Sequence, residues 1–290
     1  MDNFTKLDNA QNVKLISSIF ANNKPMNELK SDDPQCIILV GSPGVGKTTQ
    51  AEKYLSELGY DYNKFYNISL DRLVEKVKPY RNTTMRVYHA LKNKKNLNDK
   101  NFATLNGIYL PTIMSQKSNF SLKETENKIM KKIKNPYTVK NRKRKINVNN
   151  QKSLKNLIDL RNNAFMYGVE NGLNIIYDTT FTSKKDKLKK DIMPVIETSP
   201  LKYKITIILV EADEDTIKKR LKERQEKMIL LEEPYIRAIN PRAIKIHINE
   251  NKMGYMNAKE YFEKGKYQKN NPDTKYTMDD FTFIQMENPN

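Results

Sequence analysis

Apolar residues gather in short runs, and most of these lead into stretches with apolar positions three and four residues apart. The first run, Gln35-Cys36-Ile37-Ile38-Leu39-Val40, shows no alternation, which is the pattern of a parallel strand buried on both faces. A glycine-rich turn follows it, and then a helical stretch over 48–58 with Gly59 placed where a helix C-cap belongs. A second strand is predicted over 65–69, running into Leu70-Asp71-Arg72-Leu73-Val74-Glu75-Lys76-Val77 at helical spacing. Residues 157–170 read as a helix leading into a third strand, Leu173-Asn174-Ile175-Ile176-Tyr177-Asp178. A fourth strand is predicted over 203–210, followed by a charged helix over 213–227 with Ile217 and Leu221 on one face. The tail offers a weaker fifth, over 281–286. Strands alternating with helices predict an α/β fold, a mostly parallel sheet with helices on both faces.

The same pattern divides the chain. Residues 1–34 read as an N-terminal appendage with a short helix over 13–20, and 35–265 as the main domain. Residues 266–290 form a tail that carries the edge strand. About a hundred residues separate the second and third strands, more than one crossover needs. Most of that excess, 81–155, reads as a basic insertion. Residues 131–160 hold ten Lys or Arg and one acid, Asp159. Such a block is a solvated insertion, an arm that binds nucleic acid or phosphate, or a targeting signal centred on 140–145.

Composition narrows the setting. The formal net charge is +18, which attracts phosphates, nucleic acid or an acidic membrane face, although a Lys- and Asn-rich composition also arises with no basic partner at all. The longest unbroken apolar run, 36–40, is far too short to cross a membrane, so no membrane partner is expected. The opening Met1-Asp2-Asn3-Phe4-Thr5-Lys6 has no apolar block of leader length behind it, and with one cysteine and two histidines neither a disulfide framework nor a Cys/His zinc site is expected. These readings point to the cytoplasm.

Chemistry enters with Gly41-Ser42-Pro43-Gly44-Val45-Gly46-Lys47-Thr48, which satisfies G-x-x-x-x-G-K-[ST] at every fixed position, between a strand and a helix as that motif requires. Its glycines let the backbone turn its N–H groups inward as an anion nest, to which the following helix adds the positive end of its dipole. Lys47 is a mobile charge long enough to reach the β- and γ-phosphates of ATP, and Thr48, followed by Thr49, offers a hydroxyl to Mg²⁺. The fold expected is therefore that of the P-loop NTPases, whose members include motors, switches and kinases.

A kinase needs three further parts, and each has candidates here. Asp71 lies just past the second strand, at the carboxyl edge where ligands bind in open α/β sheets; it is a candidate general base and equally an N-cap for the helix beginning at Arg72. Asp178 closes the third strand and can hold Mg²⁺, or simply form the turn. Arg220 and Arg224 stand four residues apart on one helix face, and Arg237 and Arg242 flank Ile239-Asn240-Pro241. Together they could form a lid over the phosphates, and singly each also reads as part of a solvated surface.

Taken in order, Gly41 to Thr49, Tyr66-Asn67-Ile68-Ser69-Leu70-Asp71, Asn174-Ile175-Ile176-Tyr177-Asp178-Thr179-Thr180, Ile207-Ile208-Leu209-Val210 leading into Lys219-Arg220-Leu221, and then Arg237 and Pro241 resemble the zeta toxin family of P-loop kinases, related to the polynucleotide-kinase type. The resemblance covers roughly 35–250 without most of 81–155. It implies that Lys47 and Thr48 bind ATP and Mg²⁺, that Asp71 is the general base, and that Asp178 with Thr180 places metal or substrate. The lid arginines would come from Arg220, Arg224, Arg237 and Arg242. It also implies phosphorylation of a hydroxyl on a small molecule, a UDP-linked amino sugar in that family, and an inhibitory partner protein.

Two other readings remain open on the residues. A polynucleotide 5′-hydroxyl kinase would use 131–160 as a strand-binding arm. A nucleic-acid-stimulated NTPase or switch would use Val210-Glu211-Ala212-Asp213-Glu214-Asp215 as an acidic metal motif, where a strand end and helix N-terminus is the simpler expectation. Cys36 reads as a buried strand residue, His89 and His247 as surface or satisfied histidines, and Phe65, Tyr66, Phe281 and Phe283 as core.

Overall fold

The structure, a computed structural model, describes residues 18–22, 24–76, 85–86, 89, 157–182, 186–230 and 241–288. The basic insertion expected at 81–155 lies almost wholly outside these residues, as does the block 131–160 apart from 157–160. Of the helix expected over 13–20, residues 18–20 are described and are helical.

The chain divides into two compact units. One takes in Met1–Asn12, Leu70–Leu160 and Leu221–Asn240; the other takes in Val13–Ser69, Arg161–Arg220 and Pro241–Asn290 and holds the whole sheet. Five strands, β1 (Gln35–Val40), β2 (Tyr66–Ile68), β3 (Ile175–Thr179), β4 (Lys204–Glu211) and β5 (Phe281–Glu287), pair in the order β2-β3-β1-β4-β5, and every pairing is parallel. The chain moves outward from β1 to β2, returns to β3 and then crosses to the other side for β4. The order therefore reverses at β1, where open α/β sheets form their ligand crevice.

Burial follows the sequence pattern. Residues 36–40 of β1 are all buried, and because neighbouring side chains point to opposite faces, both faces of the strand are covered. At the edge, β5 keeps Phe281 buried and exposes Thr282, Gln285 and Glu287. It is pinned by an aromatic cluster: Phe262, from the helix Pro241–Glu263, stacks on Tyr267 at 4.8 Å and meets Phe281 at 4.5 Å.

Helices are numbered in chain order: α1 (Lys47–Glu57), α2 (Leu70–Lys76), α3 (Leu157–Glu170), α4 (Met193–Glu197), α5 (Glu214–Leu230), α6 (Pro241–Glu263) and α7 (Lys266–Asn270). Gly59 closes α1 at φ +76°, with Tyr60 N–H donating to Leu55 O (2.8 Å) and Gly59 N–H to Ser56 O (3.0 Å), the paired bonds of a Schellman stop. At the start of α5, Asp213 accepts from Thr216 N–H (2.7 Å) and from its hydroxyl (2.6 Å), which hold its carboxyl below the usual carboxylate range. The acidic run over 210–215 is thus a strand end followed by a helix cap.

Most boundaries shift by a residue or more from those expected, and three of these shifts bear on the site. β2 keeps only Tyr66–Ile68 of 65–69. β3 starts two residues late because Asn174 is occupied elsewhere: its N–H donates to Leu29 O (2.8 Å) and its side chain accepts from Gln35 N–H (3.0 Å). At its other end β3 runs on to Thr179, which pairs with Val40, so Asp178 lies inside the strand. In the other unit α2 begins at Leu70, so Asp71 occupies the first helical turn rather than the capping position. Its carboxylate there faces the favourable end of the helix dipole.

Candidate functional site

The phosphate loop leaves β1 at Val40, whose register partners are Thr179 of β3 and Leu209 of β4, so the loop rises from the centre of the sheet's carboxyl edge. Two of its glycines are required by geometry. A Cβ on Gly41 would lie 2.7 Å from Val210 O, and Gly46 sits at φ +90° with Asn288 Nδ2 only 2.2 Å from where its Cβ would be. Gly46 is the residue before α1, so the loop's N–H groups and the helix start share one concavity.

Lys47 folds over this loop. Its Nζ donates to Gly41 O (2.8 Å) and Ser42 O (3.4 Å) and lies 3.4 Å from Asp178 Oδ1, joining the loop to the neighbouring strand. The Lys47 side chain is 12% exposed and that of Asp178 28%, so the pair is partly screened from water and open to a ligand. Ser42 Oγ is buried and has no hydrogen-bond partner among the described residues, a further polar atom within the loop. Pro43 and Gly44 are half-buried, Val45 is buried, and Thr48 and Thr49 are exposed on the first turn of α1.

The lid candidates separate. Arg220 is half-buried, and its guanidinium donates to Val45 O (3.2 Å) and to Asn288 O (3.1 Å), directly over the loop. Arg224, one turn further along α5, is exposed. Arg237 lies outside the described residues, and Arg242 is the second residue of α6 with its side chain outside them. Asp71 is half-buried on α2, in the other unit. Thr180, half-buried just past β3, accepts a hydrogen bond from Lys187 Nζ at 3.3 Å.

Two site residues carry no signal in the sequence. Asn288 follows β5, and its side-chain amide donates to Val45 O (2.8 Å) while its own N–H donates to Glu211 O (2.8 Å). Asn251 of α6, 1% exposed, accepts from Phe181 N–H (2.8 Å) and donates to His247 O (2.6 Å), fixing the turn that follows Asp178. Their partners lie 243 and 70 residues away, beyond any periodicity. Cys36 is fully buried and desolvation pushes its thiol far up, and Phe65, Tyr66 and Phe281 are buried, whereas Phe283, also expected in the core, is half-buried. No helix among the described residues is long and apolar enough to cross a membrane.

A glycine cradle closed by a lysine, at the reversal point of a parallel sheet, defines a P-loop nucleotide-binding domain. The family model described as an AAA domain matches residues 36–233, more than half of the chain, and the chain belongs to that family. No curated protein matches it. Among solved structures it is similar to one reported as the molecular and structural characterization of the PezAT chromosomal toxin-antitoxin system of the human pathogen Streptococcus pneumoniae. The identity is 12%, over 91% of this chain and 76% of that chain, with a TM-score of 0.43.

Proposed function

We propose that this protein is an ATP-dependent phosphotransferase that moves the γ-phosphoryl group of ATP to a hydroxyl of a small molecule. The resemblance of its motifs to the zeta toxins makes a UDP-linked amino sugar the first acceptor to test. The observation that carries the proposal is the Lys47–Asp178 contact over the glycine cradle, a cation and a carboxylate held side by side where a triphosphate tail would end. The residues fit the ligand: positive-φ glycines turn the backbone into a nest, and among the described residues Ser42 Oγ is an unused polar atom there and Lys47 has two carbonyls and Asp178 to leave.

In this reading the loop N–H groups and Lys47 grip the β- and γ-phosphates, and Arg220 adds charge from α5. Thr48 and Asp178 would hold Mg²⁺, which when bound neutralises phosphate oxygens. Asp71 takes the proton from the acceptor hydroxyl, Thr180 helps place the acceptor, and Arg224, Arg237 and Arg242 are the remaining lid candidates. Positioning and electrostatics supply nearly all of the rate. The same resemblance adds an inhibitory partner protein, and the composition of the chain adds a cytoplasmic site of action.

The test is to incubate the protein with γ-labelled ATP and separate pools of sugar nucleotides and 5′-hydroxyl oligonucleotides. Label in the sugar-nucleotide pool is expected. Label in the oligonucleotides alone replaces the acceptor by a polynucleotide, and label in neither, with ATP hydrolysed on adding nucleic acid, replaces the transferase by an NTPase.

Asn288 gives a narrower check on the same site. Asn288→Ala removes a donor to Val45 O and loosens the loop at Gly46, while Arg220 still holds that carbonyl. ATP is expected to bind roughly fivefold more weakly, the value of about one ordinary hydrogen bond. Calorimetric titration measures this, and unchanged affinity would mean that the tail has no part in shaping the cradle.

A further inference from the structure

A second group of cations lies on the other face of β3. Side chains of a strand alternate between faces, so Tyr177 and Thr179 share the face opposite to Asp178. Arg161, from α3, is 9% exposed, and its guanidinium carbon stands 5.3 Å from the centre of the Tyr177 ring. Phe165 packs the same ring at 4.7 Å. One terminal nitrogen of Arg161 donates to Asn162 Oδ1 (3.0 Å), whereas its Nε is buried and has no hydrogen-bond partner among the described residues. Among the described residues, no carboxylate lies within 4.0 Å of this guanidinium. At the carboxyl end of the same face, Lys187 Nζ reaches the Thr179 hydroxyl and Thr180 O.

A guanidinium stays charged at any physiological pH, so burying it is costly unless an anion or a full set of acceptors meets it. Here it meets the Tyr177 ring and hydroxyl and one neutral amide, and its buried Nε–H is left without an acceptor among the described residues. Burial pushes the Tyr177 hydroxyl up, the Arg161 charge pulls against this, and Asp191, exposed on the turn after Lys187, pushes it further up. Tyr177 and Thr179, which these two cations meet, are same-face neighbours on one strand, about 7 Å apart along it, and guanidinium forks suit phosphate oxygens.

We propose that Arg161 and Lys187 form an anion-binding site at the carboxyl end of β3, and that it takes the phosphate or diphosphate group of the acceptor. The site stands on the contacts above, and its assignment to the acceptor rests on the phosphotransferase reading. The cradle around Lys47 would then hold the donor phosphates on one face of β3 while this pair anchors the acceptor on the other.

Inorganic pyrophosphate is the probe, titrated calorimetrically into a Lys47→Ala protein so that the phosphate loop is disabled. Binding is expected, and adding Arg161→Met or Lys187→Met is expected to weaken it tenfold or more, the worth of a hydrogen bond to a charged group. Arg161→Lys, which keeps the charge without Nε, should fall between. Lys187 is half-buried at the rim, so its variant keeps the test valid should Arg161→Met fail to fold. Absence of pyrophosphate binding, or unchanged affinity with Lys187→Met, overturns the site. Displacement of pyrophosphate by UDP but not by uridine supports the acceptor assignment, and displacement by neither overturns it. Binding of ATP by the unaltered protein is measured in parallel; its loss would sink the phosphotransferase reading and leave the pyrophosphate result standing.

Discussion

Lys47→Ala is expected to lower phosphoryl transfer by roughly 10³-fold or more, whichever acceptor is supplied, the scale seen when a cation or donor facing transition-state charge is removed. The structure explains why no neighbour can replace it. Its Nζ sits among Gly41 O, Ser42 O and Asp178 Oδ1, an acceptor-rich corner in which, among the described residues, no second cation meets the loop's first turn. Arg220 approaches from the far side and is engaged by Val45 O and Asn288 O. Removing the ammonium also leaves the partly shielded Asp178 carboxylate without its partner, a negative charge where phosphates must come. Lys47→Arg is expected to rescue poorly, because a planar fork does not fit a corner shaped for a compact ammonium. Single-turnover measurement with labelled ATP checks this, alongside thermal melting. The melting temperature should move little, since one partly exposed ion pair contributes about 1 kcal/mol or less. Transfer above a tenth of the unaltered rate would remove Lys47 from the mechanism.

Sequence and structure agree where local chemistry decides and part where distant partners do. The apolar run of β1, the helix over 157–170 and the Gly59 stop are each dictated by neighbours within a few residues, and each is found in place. The cradle is legible for the same reason, since its glycines and Lys47 act within eight consecutive residues. The start of β3 is not, because Leu29 and Gln35 engage Asn174, and nothing near Asn174 announces them. At the other end Thr179 pairs with Val40, so Asp178 is in the strand interior rather than at its end, and the pleat there brings it to Lys47. Asn288, Asn251 and Arg161 escape the sequence altogether: each is one polar residue whose meaning lies in a carbonyl, an N–H or a ring brought near by the fold. Of the four arginines grouped by spacing, only Arg220 is placed on the loop among the described residues.

Asp71→Asn is expected to cut turnover by roughly 10² to 10⁴ while leaving ATP affinity unchanged, the signature of a lost general base. The substitution keeps the size of the side chain and removes only its capacity to take a proton. Its place in the first turn of α2 supplies a competing explanation, because a carboxylate there also stabilises the helix. The two roles differ in what they predict. The helix contribution is about 0.3 to 1 kcal/mol, enough to lower the melting temperature by a few degrees and far too little to change turnover a hundredfold. Asp71→Ser separates them further, since a hydroxyl suits a helix N-terminus but is no base. If Asp71 is the base, Asn and Ser variants lose turnover alike, with the ATP dissociation constant held and the acceptor KM little changed, because the lost interaction exists only in the transition state. If it serves only the helix, both variants turn over normally and differ in melting temperature. Full turnover in Asp71→Asn would therefore assign the proton to another group and leave this carboxylate as part of the scaffold of α2.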